Sequence, residues 1–92
     1  MKKVLRRDRL KIYGDLLSAL YNISGAEKVV LTHIQAIVNV PFDRLKKYIK
    51  EVVDLDLIED EASLKLTEKG KQYLREYEKV IDFMRRWGVE YR

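Results

Sequence analysis

In "VPFDRLKKYIKEVVDLDLIEDEASLKLT", residues 40–67, Arg44, Lys46, Lys47 and Lys50 run directly into Glu59, Asp60 and Glu61. At helical spacing the lysines share one solvent face, where mobile ammonium groups neutralise phosphate oxygens and release counterions. Arg44, nearer the helix start, carries the planar fork that pairs with O6 and N7 of guanine. Nothing in the stripe offers the Asn or Gln needed for bidentate contact with adenine, so charge should outweigh base reading. The acids that follow do the opposite and repel a phosphate backbone. Three roles fit them: a wing tip tilted away from a duplex, a brake on unspecific binding, or a face for a protein partner.

A second group of cations opens the chain. Residues 1–11 hold Lys2, Lys3, Arg6, Arg7, Arg9 and Lys11 against Asp8 alone, a local charge of +5, whereas residues 55–63 hold four acids and no base, −4. The whole chain carries +4 with a pI near 9.3. A basic arm beside a basic helix points to double-stranded DNA as the partner, with a solvated helix start as the plainer alternative for the arm.

Other chemistry finds few carriers. His33 is the only histidine, near a helix start with no nucleophile pattern around it, so it reads as a surface or partly packed residue. One histidine and scattered carboxylates do not make a metal site. Asp54, Asp56, Glu59, Asp60 and Glu61 lack the spacing and central glycine of a calcium loop. No glycine-rich phosphate loop occurs. Cysteine is absent, which excludes disulfides and thiolate ligands. An enzyme, a cofactor, a metal and a small-molecule substrate are therefore not expected.

The elements that must position these residues follow from periodicity. With 92 residues, 47% apolar and 37% charged, the chain suits one small domain with a densely charged surface. No apolar run spans a bilayer and no leader pattern opens the chain, so a cytoplasmic, nucleoid-associated protein is the expectation. From about Arg7 to Asn22, the residues Leu10, Tyr13, Leu17 and Leu20 recur at helical steps, widened by Ile12 and Leu16. Gly14 inside that helix suggests close approach of another helix. "NISGAEKVV" breaks the period. "THIQAIVN" restarts it, with Thr32 and Gln35 in the spacing of a capping box, and ends near Asn39, which tolerates the left-handed conformation.

Pro41 suits the first position of a third helix. Phe42, Leu45, Ile49, Val52 and Val53 face inward; Asp43, Lys46, Lys47, Lys50 and Asp54 face solvent. So few residues separate helices two and three that they must meet steeply, as in a helix–turn–helix. "LDLIED" and "SLKL" read as two short strands around an acidic turn at Asp60-Glu61-Ala62. Thr67 caps a last helix, with Glu68 at its positive end. On that helix, from Glu68 to Trp87, Leu74, Tyr77, Ile81 and Met84 repeat at steps of three and four, a coiled-coil seam; Tyr73, Val80 and Trp87 form the adjacent row. Pairing with a second copy hides this surface; folding back onto helix one is the alternative.

Two pieces, "LTEKG" at the entry to the last helix and Tyr48-Ile49-Lys50 at the centre of helix three, carry a resemblance. Over about residues 23–84 the chain resembles the small archaeal winged-helix DNA-binding proteins of the chromatin-associated "10a" kind. The resemblance implies a DNA-binding homodimer joined by an antiparallel coiled coil. It places the recognition face on Arg44, Lys46, Lys47 and Lys50 and the dimer seam on Tyr77, Ile81 and Met84.

The expected fold is α+β and mainly helical, a winged helix-turn-helix with a two-stranded wing and a long C-terminal dimerisation helix. Residues 1–67 form the DNA-binding core with its arm, and residues 68–92 the dimerisation helix of the same domain. DNA contacts are expected from Arg44, Lys46, Lys47, Lys50, Arg6, Arg7 and Arg9, and the dimer interface from Leu74, Tyr77, Ile81, Met84 and Trp87. The second function to weigh is a protein-interaction module within a larger complex.

Overall fold

The computed structural model describes residues 3–23 and 31–91. Its elements run β1 (Lys3–Leu5), α1 (Arg9–Asn22), α2 (Leu31–Val38), α3 (Phe42–Asp54), α4 (Glu68–Arg86) and β2 (Val89–Tyr91). The loop expected over "NISGAEKVV" lies mostly outside the described residues.

Local chemistry sets most boundaries. Asp8 ends the arm: its extended backbone and a carboxylate accepting the Lys11 amide at 3.0 Å make it the N-cap of α1, which starts at Arg9 and not at Arg7. Asn39 adopts φ 56° and its amide reaches the Gln35 carbonyl at 2.8 Å, stopping α2 where expected. Thr32 sits inside the first turn of α2 and so does not serve as its cap. Pro41, one residue earlier than expected, is the N-cap of α3, its ring-fixed φ of −59° paired with an extended ψ. Asn39, Val40 and Pro41 are the turn between α2 and α3, the helix–turn–helix.

The core gathers Leu16, Leu17 and Leu20 of α1, Ile34 and Val38 of α2, and Leu45, Tyr48, Ile49 and Val52 of α3. Leu57, Ile58 and Leu64 close it from below the wing. One expected inward residue is misplaced: Phe42 is 40% exposed, while Tyr48 is buried. Phe42 opens the helix, where no preceding turn covers it; Tyr48 sits in the middle, under the guanidinium of Arg9 at 4.8 Å.

The wing is shorter than two strands. A single antiparallel bridge joins Ile58 to Leu66, supported by Glu59 N–H to Lys65 O at 2.8 Å and Thr67 N–H to Leu57 O at 3.1 Å. Asp56 and Leu64 both take left-handed φ values, 62° and 55°, so the chain bends at each side and the ladder cannot extend. The Asp60 carboxylate accepts the amides of Ala62 and Ser63 and folds the tip into a tight turn.

Thr67 ties wing to helix. Its hydroxyl accepts the Gly70 amide at 3.0 Å as the N-cap of α4 and donates to the Asp56 carbonyl at 2.6 Å. This geometry explains the glycine of "LTEKG": a Cβ on Gly70 would lie 2.0 Å from the Leu57 carbonyl oxygen.

Most of the apolar stripe on α4 is covered by the chain itself. Leu74, Tyr77 and Met84 are buried within the single chain, at 7%, 7% and 9% exposure, and Ile81 is half-buried. They are covered because α4 lies across α1 at Gly14, where an added Cβ would come within 2.5 Å of the Tyr77 ring. The Tyr77 hydroxyl donates to Asp15 at 3.4 Å, and burial first, then the Asp15 charge, raises its pKa well above the usual range. Gly14 is thus the close approach that its position in α1 suggested. The surface left bare on α4 is the neighbouring row, with Val80 exposed, Phe83 56% exposed and Trp87 73% exposed.

A two-stranded parallel sheet was not expected. β1 pairs with β2 in the register Lys3–Val89, Val4–Glu90 and Leu5–Tyr91. Gly88, at φ 73°, turns the chain out of α4 and its carbonyl accepts the Lys3 amide at 2.9 Å. Among the described residues no helix is long and apolar enough to cross a membrane.

Gly70→Ala should lower unfolding free energy by more than about 2 kcal/mol in a urea titration, because the obstructing atom is backbone. Gly14→Ala should cost less, since the obstructing ring can shift and the helix regains roughly 1 kcal/mol of propensity. Equal losses would contradict this account of the two contacts.

Candidate nucleic-acid interface

The outer face of α3 exposes Arg44, Lys46, Lys47 and Lys50, with Asp43 and Asp54 at its ends. Lys46 leans over the Phe42 ring, its Nζ 5.9 Å from the centroid. The salt bridges among the described residues include none of these four cations. Exposed cations without an internal ion pair can be neutralised by an external polyanion.

The arm differs. Arg7 Nη2 donates to the Val38 carbonyl at 2.9 Å and to Asp15 Oδ2 at 3.3 Å. There it satisfies a carbonyl at the C-terminal end of α2, the negative end of that helix. Lys11 Nζ meets the other oxygen of Asp15 at 2.8 Å. Arg9 Nε lies 3.0 Å from Glu51 Oε1 while its guanidinium stacks on Tyr48. Arg6 is exposed and Lys3 is held by its backbone in β1; Lys2 lies outside the described residues. The structure therefore separates the two groups of candidates. Arg7 and Arg9 turn inward and clamp α1 to α2 and α3; the α3 set points out.

Glu51 is the residue that sequence reasoning missed. It sits on the inner rim of α3, next to Lys50, and accepts hydrogen bonds from Tyr13 of α1 and the ion pair of Arg9. Burial first, then the bond to Glu51, raises the Tyr13 pKa, so the phenol stays a donor. Through this cluster the angle of α3 is held from behind while its outer face carries no internal ion pair. Its partners lie 38 and 42 positions away in the chain, so no local spacing could reveal it.

The wing tip keeps its negative charge. Backbone amides, from Ser63 first and from Ala62, hold the Asp60 carboxyl below its usual range. Glu59, Asp60 and Glu61 are exposed, and Glu61 borders a cleft shared with Lys46, Lys47 and Lys50. His33 is exposed on α2, and no group of three His, Asp or Glu able to hold a metal occurs among the described residues.

A family model described as a winged helix-turn-helix matches residues 6–85. No curated protein and no solved structure matches the chain.

Arg7→Ala should cost about 1–2 kcal/mol of stability in denaturant titration, because it strands the Val38 carbonyl and leaves Asp15 to Lys11 and Tyr77. Arg9→Ala, half-exposed, should cost less than Arg7→Ala, and Arg6→Ala should stay within about 0.5 kcal/mol of the parent. An Arg6 effect matching that of Arg7 would show that the arm is not held as described.

Proposed function

The chain belongs to the winged helix-turn-helix family, a fold of DNA-binding regulators, and on that premise we propose that it binds double-stranded DNA as a homodimer, with α3 in the major groove. The reading carries it to a transcription regulator or chromatin-associated protein of the small archaeal "10a" kind, acting in the cytoplasm on the nucleoid. The observation that carries the proposal is the set of four exposed, internally unpaired cations on α3, against the paired cations of Arg7, Arg9 and Lys11.

Lys46, Lys47 and Lys50 meet phosphates, and Arg44 reads a guanine edge. The exposed ring of Phe42 adds apolar surface of the kind that contacts a thymine methyl. Of the three arm arginines, Arg6 is the one without an ion pair among the described residues and is available for a further phosphate; Arg7 and Arg9 serve the protein. The acidic tip is unsuited to a minor groove and keeps the wing off the backbone, so affinity rests on α3.

The homodimer is carried by the bare row of α4. Val80, Phe83 and Trp87 lie at helical steps, with the Phe83 and Trp87 rings 6.4 Å apart. A second α4 laid against this row covers apolar surface that a lone chain leaves in water. Two α3 helices then address half-sites spaced by a multiple of about 10–10.5 bp.

Electrophoretic titration of a duplex at several salt concentrations tests the DNA reading. Each lysine replaced among Lys46→Ala, Lys47→Ala and Lys50→Ala should flatten the salt dependence by about one unit of slope and weaken every duplex alike. Arg44→Ala should instead alter preference among duplexes. A folded protein that binds no duplex at low salt would favour an interaction module whose acidic wing meets a basic protein.

Sedimentation addresses the dimer: the parent should run as a dimer, and Phe83→Glu or Trp87→Glu as a monomer. A parent of monomer mass would remove the homodimer from the proposal and leave α3 untouched.

A further inference from the structure

Between the start of α2, the face of α3 and the wing lies a cleft of about 450 Å³, lined among the described residues by Leu31, Ile49, Lys46, Lys47, Lys50 and Glu61. Its volume falls in the range of small-molecule sites, roughly 300–1,000 Å³. Its composition is unlike that of a bare phosphate contact. Leu31, half-buried, and the edge of the otherwise buried Ile49 supply a small apolar floor that a phosphate does not use. Three lysines line the cleft around that floor, opposed by a single carboxylate. None of the lysines has an ion-pair partner among the described residues.

We propose that this cleft binds a small organic monoanion with a flat apolar body, such as an aromatic carboxylate, and that this ligand and duplex DNA exclude one another. The carboxylate lies among Lys46, Lys47 and Lys50, and the apolar body covers Leu31 and Ile49 beneath the wing. Glu61 sets the charge limit: it leaves the lining net positive by two and disfavours anions whose further charges reach the wing side. A bound ligand neutralises the lysines that the DNA reading assigns to phosphate, so occupancy at one site is lost at the other. The exclusion of DNA rests on the proposed function; binding to the cleft does not.

The test uses the full chain and 2-naphthoate, followed by calorimetry and by amide NMR shifts. Saturable one-to-one binding is expected, with shifts at Leu31, residues 46–50 and Glu61. Lys47→Ala and Lys50→Ala should each weaken it roughly fivefold, without change in unfolding midpoint, and Glu61→Gln should strengthen it severalfold. Inorganic sulfate should bind far more weakly, because it cannot use the floor. Naphthoate should also release labelled duplex at the concentration that fills the cleft.

Unchanged affinity in the lysine variants, or shifts confined to Phe83 and Trp87, would overturn the cleft assignment, as would absence of binding. A protein that takes naphthoate but no DNA would overturn the proposed function and keep the cleft. Simultaneous binding of both would remove the exclusion.

Discussion

The Tyr77 ring laid against Gly14 is the contact on which the rest of the arrangement depends. A helix carrying Leu74, Tyr77, Ile81 and Met84 at coiled-coil steps must cover that stripe with something. Here the covering surface is α1, and the approach is close enough that a Cβ at Gly14 would have to displace the ring. Once α4 lies on α1, Met84 is carried into the packed region and Gly88 turns the chain back beside β1. The terminal segments then pair over three residues, and Tyr91 reaches Asp8, the N-cap of α1, at 3.2 Å. A two-stranded sheet has little stability of its own; it persists because the α1–α4 contact brings its strands into register.

The same packing sorts the positive charges. Asp15 lies at the edge of the α1–α4 contact and draws in Arg7 and Lys11, while Glu51, on the rim of α3 that faces α1, draws in Arg9. Cations that resemble one another in the sequence thus come to differ in what they can do. Those within reach of a partly buried carboxylate fasten helices together. Those on the outer face of α3 join no ion pair among the described residues and stand beside the wing. Glu51 next to Lys50 shows how sharp the division is: adjacent residues on one helix point to opposite duties.

The wing acts less as a strand pair than as a strap. Left-handed backbone at Asp56 and Leu64 confines the ladder to one bridge, and Thr67 binds the base of the strap to α4 through two hydrogen bonds. What the strap presents is charge, in an Asp60-centred turn whose amides favour the ionised form. Placed beside the lysines of α3, that charge narrows what can approach them, and it makes a walled cleft of a flat cationic face.

Much of this was legible in particular residues. The helix–turn–helix could be read from Asn39, Pro41 and the apolar period of α3, because a left-handed stop, a fixed φ and a helical face are local properties. Thr67 as a cap and the exposure of Asp43, Lys46, Lys47 and Lys50 are local in the same way. The arm was legible only as charge; neither its three-residue strand nor the inward turn of Arg7 had a nearby signal. Tyr73, Val80 and Trp87 were visible as a row, without indication that Val80 and Trp87 would be left in water while Tyr73 packs against the core.

By itself, then, the sequence determined which segments coil, where they stop and which faces are apolar or charged, since those depend on neighbours a few residues apart. Tertiary structure alone decided which apolar face α1 covers, which cations meet a carboxylate, and that residues 3 and 89 lie side by side. Amphipathic patterning states that a surface must be covered or a charge solvated, but names no partner; the partner follows from shape, as in the gap at Gly14 that admits one tyrosine ring.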